Sequence, residues 1–335
     1  MKFINKISVI TCFALFSIAR AQHNDAGTTA FSFLNMGYDA RSVAMAGAAV
    51  AMPNDVYGVL SNPAAVSYVN RLQVMGGYRQ VMMDVWGGPL ALSYQLPNGF
   101  VLVPHLLTLT TGIFDFINES GFADGRQAKS SYTAVGVSAG KIFFEGVSIG
   151  ATLKGLYHYL GLGSESYSAD GFALDLGVQY RMNNNRLIYG AALRNFGFVR
   201  SGYLGEWNEY EMPYGIEAGV SYVPRHILNL RTALDINKYN GDFMNIEPGF
   251  EYTVLANTLF LRGGYAFSSM DLENMLKVFS GDRDEAYQKS SMNTFSLGLG
   301  LVTAMDGVAV NFDAAIQFYS GVSSPGIVLS LLVGF

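Results

Sequence analysis

Along much of the chain after residue 72, apolar and polar residues alternate, which places the two kinds of side chain on opposite faces of β-strands. In 228–237, for example, leucine or isoleucine positions alternate with Asn229, Arg231, Asp235 and Asn237. Runs of about 9 to 14 residues with this period suit tilted strands that cross a bilayer, with apolar residues toward lipid. The polar set is therefore predicted to face a lumen.

The pattern predicts fourteen strands, near 72–80, 88–96, 100–113, 130–144, 146–159, 170–181, 185–197, 212–223, 226–239, 243–254, 258–268, 292–303, 306–319 and 325–335. Links after even-numbered strands are short. Links after odd-numbered strands are mostly longer, at about 114–129, 160–169, 198–211 and 269–291. Short turns at one end and long loops at the other are typical of outer-membrane barrels. We therefore predict an all-β, 14-stranded antiparallel transmembrane β-barrel over 72–335, with a soluble β-sandwich as the alternative.

Both ends of the chain have features of an exported outer-membrane protein. Residues 1–21 have the form of a secretory signal peptide, with a positive start, an apolar stretch and an A-x-A cleavage site. The chain closes on an alternating strand that ends in Phe335, and the machinery that assembles outer-membrane barrels recognises such terminal strands. We therefore predict an outer-membrane protein with both termini periplasmic or luminal, in which Phe335 serves as the assembly signal.

The amino-acid composition limits the kinds of functional site that the chain is expected to contain. The chain is 50% hydrophobic and 14% charged, with 38 Gly, 20 Tyr and 23 Phe, which suits barrel strands and aromatic girdles. Its single cysteine, Cys12, lies in the predicted signal peptide, so no disulfide or cysteine-ligated site is expected. The net charge of −5 disfavours a nucleic-acid partner. The four histidines are scattered and no enzyme signature occurs, so no catalytic residue, metal or cofactor is predicted.

Residues 22–71 precede the first predicted strand and contain a run of small residues, 40–52, that can pack closely inside a barrel. Fourteen strands enclose more space than side chains alone fill. We predict that 22–71 forms a hatch or plug, and the alternative is a periplasmic tail. The residues predicted to matter are Arg41 and Asp55, which can pair with lumen charges, and the turn residues Asn62 and Pro63. The lumen charges considered as their partners are Asp175, Asp235, Arg181 and Arg231.

The longest predicted outer loop contains a short amphipathic segment, 271–279. Its apolar residues recur at helical spacing. They either pack over the barrel rim or contact a partner protein, and both interpretations stay open. The predicted contact residues are Leu272, Met275, Leu276 and Phe279.

The stretch 26–41 (AGTTAFSFLNMGYDAR), followed by Ala46-Gly47, Asp55 and the Ser-Asn-Pro-Ala run at 61–64, resembles the N-terminus of the PorV/PorQ family within the FadL-like barrels. The resemblance implies a FadL-type barrel with an N-terminal hatch. It also implies a non-enzymatic role in type IX secretion, with the translocon, secreted cargo and outer-membrane lipid as partners. The alternative is a FadL-like transporter for hydrophobic small molecules, because those transporters share the hatch and the Asn-Pro-Ala turn.

Pro104 lies within the third predicted strand. Proline cannot donate a hydrogen bond to the strand ladder, so it requires a bulge or an unpaired neighbour. In FadL-type barrels a kink in an early strand opens the wall sideways, and the resemblance implies a similar lateral opening beside Pro104. A sealed bulge near the membrane interface is the alternative.

Overall fold

The structure is a computed structural model that describes residues 29–53, 56–69, 72–82, 84–118, 122–203, 210–255, 258–269, 293–320, 322 and 324–335. In these ranges the chain forms one antiparallel sheet of fifteen strands. They are β1 (Gln73–Met82), β2 (Val85–Gln95), β3 (Val101–Thr110), β4 (Phe114–Ile117), β5 (Ala123–Phe144), β6 (Val147–Leu162), β7 (Glu165–Met182), β8 (Leu187–Ser201), β9 (Gly215–Tyr222), β10 (Leu230–Tyr239), β11 (Met244–Thr253), β12 (Leu259–Ser268), β13 (Thr294–Met305), β14 (Val308–Tyr319) and β15 (Gly326–Gly334).

The sheet closes on itself. The first and last strands pair over Gln73↔Gly334 to Gln80↔Ile327, and β3 pairs with β5 on the far side. Fourteen strands therefore form a closed antiparallel barrel, which confirms the predicted fold class. The short strand β4 is additional and pairs only with the outer part of β5.

One end of the barrel has short turns, as at 145–146 and 306–307, and is called the short-turn end below. The opposite, long-loop end differs from the prediction at 160–169, which was expected to be a loop. There β6 and β7 continue to a tight turn at 163–164. Beyond a bilayer a hairpin needs no apolar face, because its backbone ladder satisfies the polar groups on its own. Strands β5 to β8 have 22, 16, 18 and 15 residues and are the longest strands in the described part of the chain.

Side chains alternate across the wall as predicted. In β7, Phe172, Leu174 and Leu176 are exposed on the outer face, whereas Asp175 and Gln179 are buried inside. The successive Cβ atoms of a strand point to opposite faces, so every apolar-out strand contributes polar residues to the interior.

Residues 29–53 and 56–69, called the inner segment below, lie inside the barrel against the inward face of the strands. They contain one helix, α1 (Ala40–Ala44), and three 3₁₀ turns, Ser32–Asn35, Val56–Leu60 and Pro63–Tyr68. Helix α1 contacts β12 to β15, and the third turn contacts β5, β6 and β7. No helix in the described part of the chain is long and apolar enough to span a membrane.

Local sequence explains these turns. Asp39 is the N-cap of α1, since its Oδ1 accepts the backbone N–H of Ser42 at 2.8 Å. Asn62 caps the third turn in the same way, accepting the N–H of Ala64 at 3.0 Å, and Pro63 follows at the first position of the turn. Side-chain caps let such short elements form where packing, not length, stabilises them.

Candidate functional site: the barrel interior

Polar side chains of the wall and of the inner segment itself hold the backbone carbonyl groups of residues 50 and 51. Asn62 donates from Nδ2 to the carbonyl oxygens of Val50 (2.9 Å) and of Val178 in β7 (3.1 Å). Gln179 donates to the same Val50 oxygen at 3.0 Å, and Ser221 of β9 donates to the Ala51 oxygen at 2.8 Å. Buried carbonyls need such donors, because an unpaired one costs about 1–3 kcal/mol. The polar lumen face thus positions an otherwise apolar stretch.

A first group of buried charges joins α1 to the wall, and we call it the Glu251 cluster. Arg41 donates from Nε and Nη2 to the two carboxylate oxygens of Glu251, both at 2.9 Å. Arg262 Nε lies 2.8 Å from Glu251 Oε2, and its Nη1 donates to Asp313. A two-pronged arginine–carboxylate contact fixes orientation as well as distance. Arg41 therefore anchors the inner segment to β11 and β12.

A second group, the Asp175 cluster, belongs mainly to the wall. Lys154 Nζ lies 2.8 Å from Asp175 Oδ1, and Arg194 Nε lies 3.3 Å from Oδ2. Arg194 Nη1 also donates to the carbonyl oxygen of Ser61 at 2.5 Å. All three charged side chains are at least nine-tenths buried. Each charge has an opposite partner, as burial of ions requires.

The long-loop half of the interior is apolar, and we call it the apolar cluster. Its buried members come from the inner segment and from inward positions of β3, β5, β6, β7 and β8, and include Phe31, Phe33, Leu34, Tyr38, Leu107, Leu109, Leu156 and Val199. Phe33 stacks on Tyr132 at 5.0 Å, and Tyr132 stacks on His158 at 3.7 Å between ring centroids. Burial raises the pKa of the Tyr38 hydroxyl, which donates to the Phe33 carbonyl at 3.0 Å. An apolar interior is unusual for a barrel whose lumen holds water.

Two of the cavities in the described part of the interior have volumes of about 20 Å³ each. The second cavity lies between the apolar cluster and the Asp175 cluster. Its lining includes Leu34 and Leu107 from the former and Lys154 and Asp175 from the latter. Ligand pockets occupy about 300–1,000 Å³, and a cavity that binds benzene measures about 150 Å³. Both cavities are therefore smaller than a ligand pocket, and a closed barrel stays a prediction.

The structure places several predicted site residues inside. Arg41, Asn62 and Pro63 all lie in the inner segment and contact the wall. Phe335 follows β15 with its side chain 55% exposed, and its N–H donates to the Leu72 oxygen at 2.9 Å. The roles assigned to these residues stay predictions. Five further predicted residues lie outside the described part of the chain, namely Asp55, Leu272, Met275, Leu276 and Phe279.

The partner of Arg41 was not identified from sequence. The sequence indicates Asp175 and Asp235 as candidate partners of Arg41. In the structure, Arg41 instead donates to both carboxylate oxygens of Glu251. Glu251 faces inward on β11, whereas its apolar neighbours face outward. This alternation is the feature of the sequence that indicates a lumen charge at Glu251. Several lumen charges share that signal, so spacing alone does not select among them.

Pro104 has its ring on the outer face of β3. The pairing of β3 with β5 is continuous, but the pairing with β2 skips from Ala91↔His105 to Tyr94↔Leu102 without a change of register. The wall therefore contains a ladder interruption at 103–104, without a bulge. Whether it opens stays a prediction.

Comparisons with known proteins support the fold. No family model matches the sequence, and no curated protein matches it. Among solved structures, the CymD monoaromatic hydrocarbon channel aligns with a TM-score of 0.64 at 15% identity, over 91% of this chain and 98% of that one. The toluene transporter TodX of Pseudomonas putida gives 0.61 at 14% identity, over 89% and 97%. A FadL homologue of Pseudomonas aeruginosa gives 0.56 at 11% identity, over 92% and 99%.

These likenesses show that the chain has the fold of the FadL-like outer-membrane β-barrels. This fold supports a location in the outer membrane, in contact with lipid. The narrower PorV/PorQ resemblance and its secretion role gain no support from the comparisons. The neighbours named above are a channel, a transporter and a FadL homologue.

Proposed function

We propose that the protein is an outer-membrane channel for hydrophobic small molecules. The observation that carries this proposal is the apolar cluster, in which inward positions such as Leu107, Leu109 and Leu156 are apolar where a water-filled barrel has polar residues. Apolar surface of this kind favours an apolar ligand, because transfer out of water contributes about 25 cal/mol per Å². The names of the structural neighbours, a monoaromatic hydrocarbon channel and a toluene transporter, point to the same ligand class.

In the proposed path, the long-loop end faces outward and both termini face the periplasm. A ligand enters through the long loops and displaces side chains of the apolar cluster. It cannot pass further until the inner segment moves, since the cavities of about 20 Å³ are too small. The inner segment thus acts as the hatch, with Arg41 as its anchor and Asn62 and Pro63 as its turn.

The interruption beside Pro104 is the proposed lateral exit. His105, the inward neighbour of Pro104 on β3, and Leu107 line the cavity between the apolar cluster and Asp175. Pro104 itself faces lipid. An exit from that cavity into the bilayer avoids passage of an apolar molecule through water, which the hydrophobic effect opposes.

The test is uptake of radiolabelled toluene by proteoliposomes. We expect uptake above that of liposomes with an unrelated barrel, and a large loss on Leu107→Asp, which puts a carboxylate into the apolar cluster. Asn311→Asp is the matched control, because it introduces the same group at a polar inward position. Wild-type uptake equal to the unrelated barrel would refute the channel function. Co-purification of translocon or cargo proteins from native membranes, without toluene uptake, would favour the secretion role instead.

A further inference from the structure

The wall has another ladder interruption on a different side of the barrel. Strand β11 pairs with β10 without a break. Its pairing with β12 stops at Ile246↔Phe267 and resumes at Gly249↔Gly264 in the same register. The interruption contains Pro248, whose ring is on the outer face and whose nitrogen carries no hydrogen. The ladder between these strands therefore lacks its pairs at 247 and 248.

Next to this interruption, the inward positions of the wall at 249 and 264 are both glycine. Gly249 and Gly264 face inward there, and the backbone of Met45 lies directly against them. A Cβ placed on Gly264 would be 2.3 Å from the Met45 carbonyl carbon, and one on Gly249 would be 2.7 Å from the Met45 oxygen. Gly47, with φ +104, brings its Cα against the Glu247 carboxyl. Residues 45–47 of the inner segment therefore form the seal.

The interruption also contains a carboxyl group without a cation. Glu247 Oε1 accepts a hydrogen bond from Asn237 Nδ2 at 2.7 Å, and in the described part of the chain no Lys or Arg lies within ion-pair distance of Glu247. Its neighbour across the ladder is Asp235, which accepts the Val50 N–H at 2.7 Å. Glu251, four residues along the same strand, binds two arginines. Glu247 is thus an acceptor left open to a donor from outside the chain.

A further interruption, between β1 and β2 at Pro89, differs. The Pro89 ring faces inward and fills the space at Gly77, where an added Cβ would lie 2.9 Å from Pro89 Cδ. The backbone of Gly88 also approaches the Gly77 oxygen closely. That part of the wall is packed shut by its own atoms. At Pro248, by contrast, closure depends on the inner segment.

We propose that the β11–β12 interruption is a second lateral port, which opens when residues 45–47 withdraw and takes amphipathic molecules with an N–H or O–H head group, such as a long-chain amine. Glu247 receives the head group, and the apolar tail passes between Pro248 and Tyr265 into the lipid. The transport part of this proposal rests on the channel function above. The existence of the port does not.

The port is tested with a cysteine reporter. In a chain carrying Cys12→Ser, Met45→Cys places one thiol behind the interruption, and Ala48→Cys in the same buried cluster is a second reporter. A hydrophobic maleimide dissolved in the bilayer should label both. Pro248→Val restores the missing N–H donor, so it should slow this labelling about two- to tenfold, the equivalent of one hydrogen bond.

Pro104→Val is the matched control and should leave the labelling rate unchanged, because it restores a donor at the other interruption. Heat-modifiable mobility checks that each variant is folded. Labelling that Pro248→Val does not slow, or labelling by a water-soluble maleimide alone, would overturn the port. This assay needs no transported ligand, so its result is independent of the toluene experiment.

The head-group selectivity is tested by uptake of decylamine and toluene into the same proteoliposomes. Glu247→Met keeps the side-chain length but removes both acceptor oxygens. We expect it to lower decylamine uptake severalfold and to leave toluene uptake unchanged. Equal changes for both molecules, or none for decylamine, would overturn the role of Glu247. Absence of toluene uptake in the wild type would contradict the channel function but leave the port to the labelling assay.

Discussion

The interruptions at Pro104 and Pro248 share a backbone defect but differ in what lies behind it. Behind Pro104, Val103 packs with apolar side chains of the inner segment such as Val56, Val59 and Val66. Behind Pro248, the Met45 backbone, with the buried Met45 and Ala48 side chains beside it, lies against two inward glycines and the Glu247 carboxyl group. The same loss of a ladder donor is therefore covered in one place by apolar side chains of the wall and the inner segment, and in the other by an inner segment that lies against glycines and a carboxyl group.

This difference has an energetic consequence. Each buried valine contributes about 1.5–3 kcal/mol relative to exposure, and the contacts need no particular orientation. At Pro248, Gly249 and Gly264 bury no side chain, so residues 45–47 have less apolar contact with the wall there. The contact of residues 45–47 with these glycines and with Glu247, called the glycine seal below, should therefore release before the apolar seal at Pro104.

The largest effect is expected for Glu251→Ala on β11, the strand that also contains Pro248. It leaves the buried Arg41 and Arg262 without their shared carboxylate, which costs about 3–5 kcal/mol for a buried pair. We expect a lower thermal unfolding midpoint and a higher single-channel conductance, as α1 loses its anchor. Asp124→Ala, which breaks the exposed pair with Arg126, is the control and should change neither. An unaltered midpoint for Glu251→Ala would show that α1 is held by other contacts.

On the apolar side, Met75→Ala should cost about 2–5 kcal/mol of unfolding free energy, because Met75 is fully buried behind the Pro104 interruption and its loss leaves a cavity. Equilibrium unfolding in denaturant measures it. Its neighbour Val74 faces outward, so Val74→Ala should have a much smaller effect. Similar losses for both would mean that the apolar seal is not packed as described.

Gly264→Ala should act on the glycine seal alone. The added methyl meets the Met45 backbone at 2.3 Å, so the inner segment must shift, at a cost of about 1–3 kcal/mol for overpacking. We expect raised conductance with the barrel intact. Gly76→Ala is the matched control, since no atom lies within 4 Å of its added Cβ. Conductance that rises equally in both variants would argue against a specific seal at 45–47.

The smallest effects are expected for Pro104→Val and Pro248→Val made separately. Each restores one ladder donor and should stabilise the barrel by about 0.5–1.5 kcal/mol. Backbone hydrogen exchange should slow around Leu92 in the first variant and around Tyr265 in the second. Destabilisation by either valine would indicate that the proline ring is needed to shape the strand.

Alternation by itself determined the fold class, the strand count and the outward and inward faces, as the buried Asp175 and the exposed Leu174 show. These properties follow from local geometry, because successive side chains of any strand point to opposite faces. The same rule missed the hairpin at 160–169, since strands beyond the bilayer no longer need an apolar face. The type IX secretion role, implied by resemblance alone, gained no support.

Only the tertiary structure decided which charges meet and which proline matters. Arg41 and Glu251 bind each other although they are 210 residues apart in the chain. The sequence alone favours none of the several inward charges as the partner of Arg41. Pro104 stood out in a predicted strand, whereas the importance of Pro248 depends on its register with β12 and on the glycines opposite Met45. Such contacts depend on how the barrel closes and on the path of the inner segment. A buried charge needs an opposite partner, and the residues that share the interior, not the local spacing along the chain, determine which partner it finds.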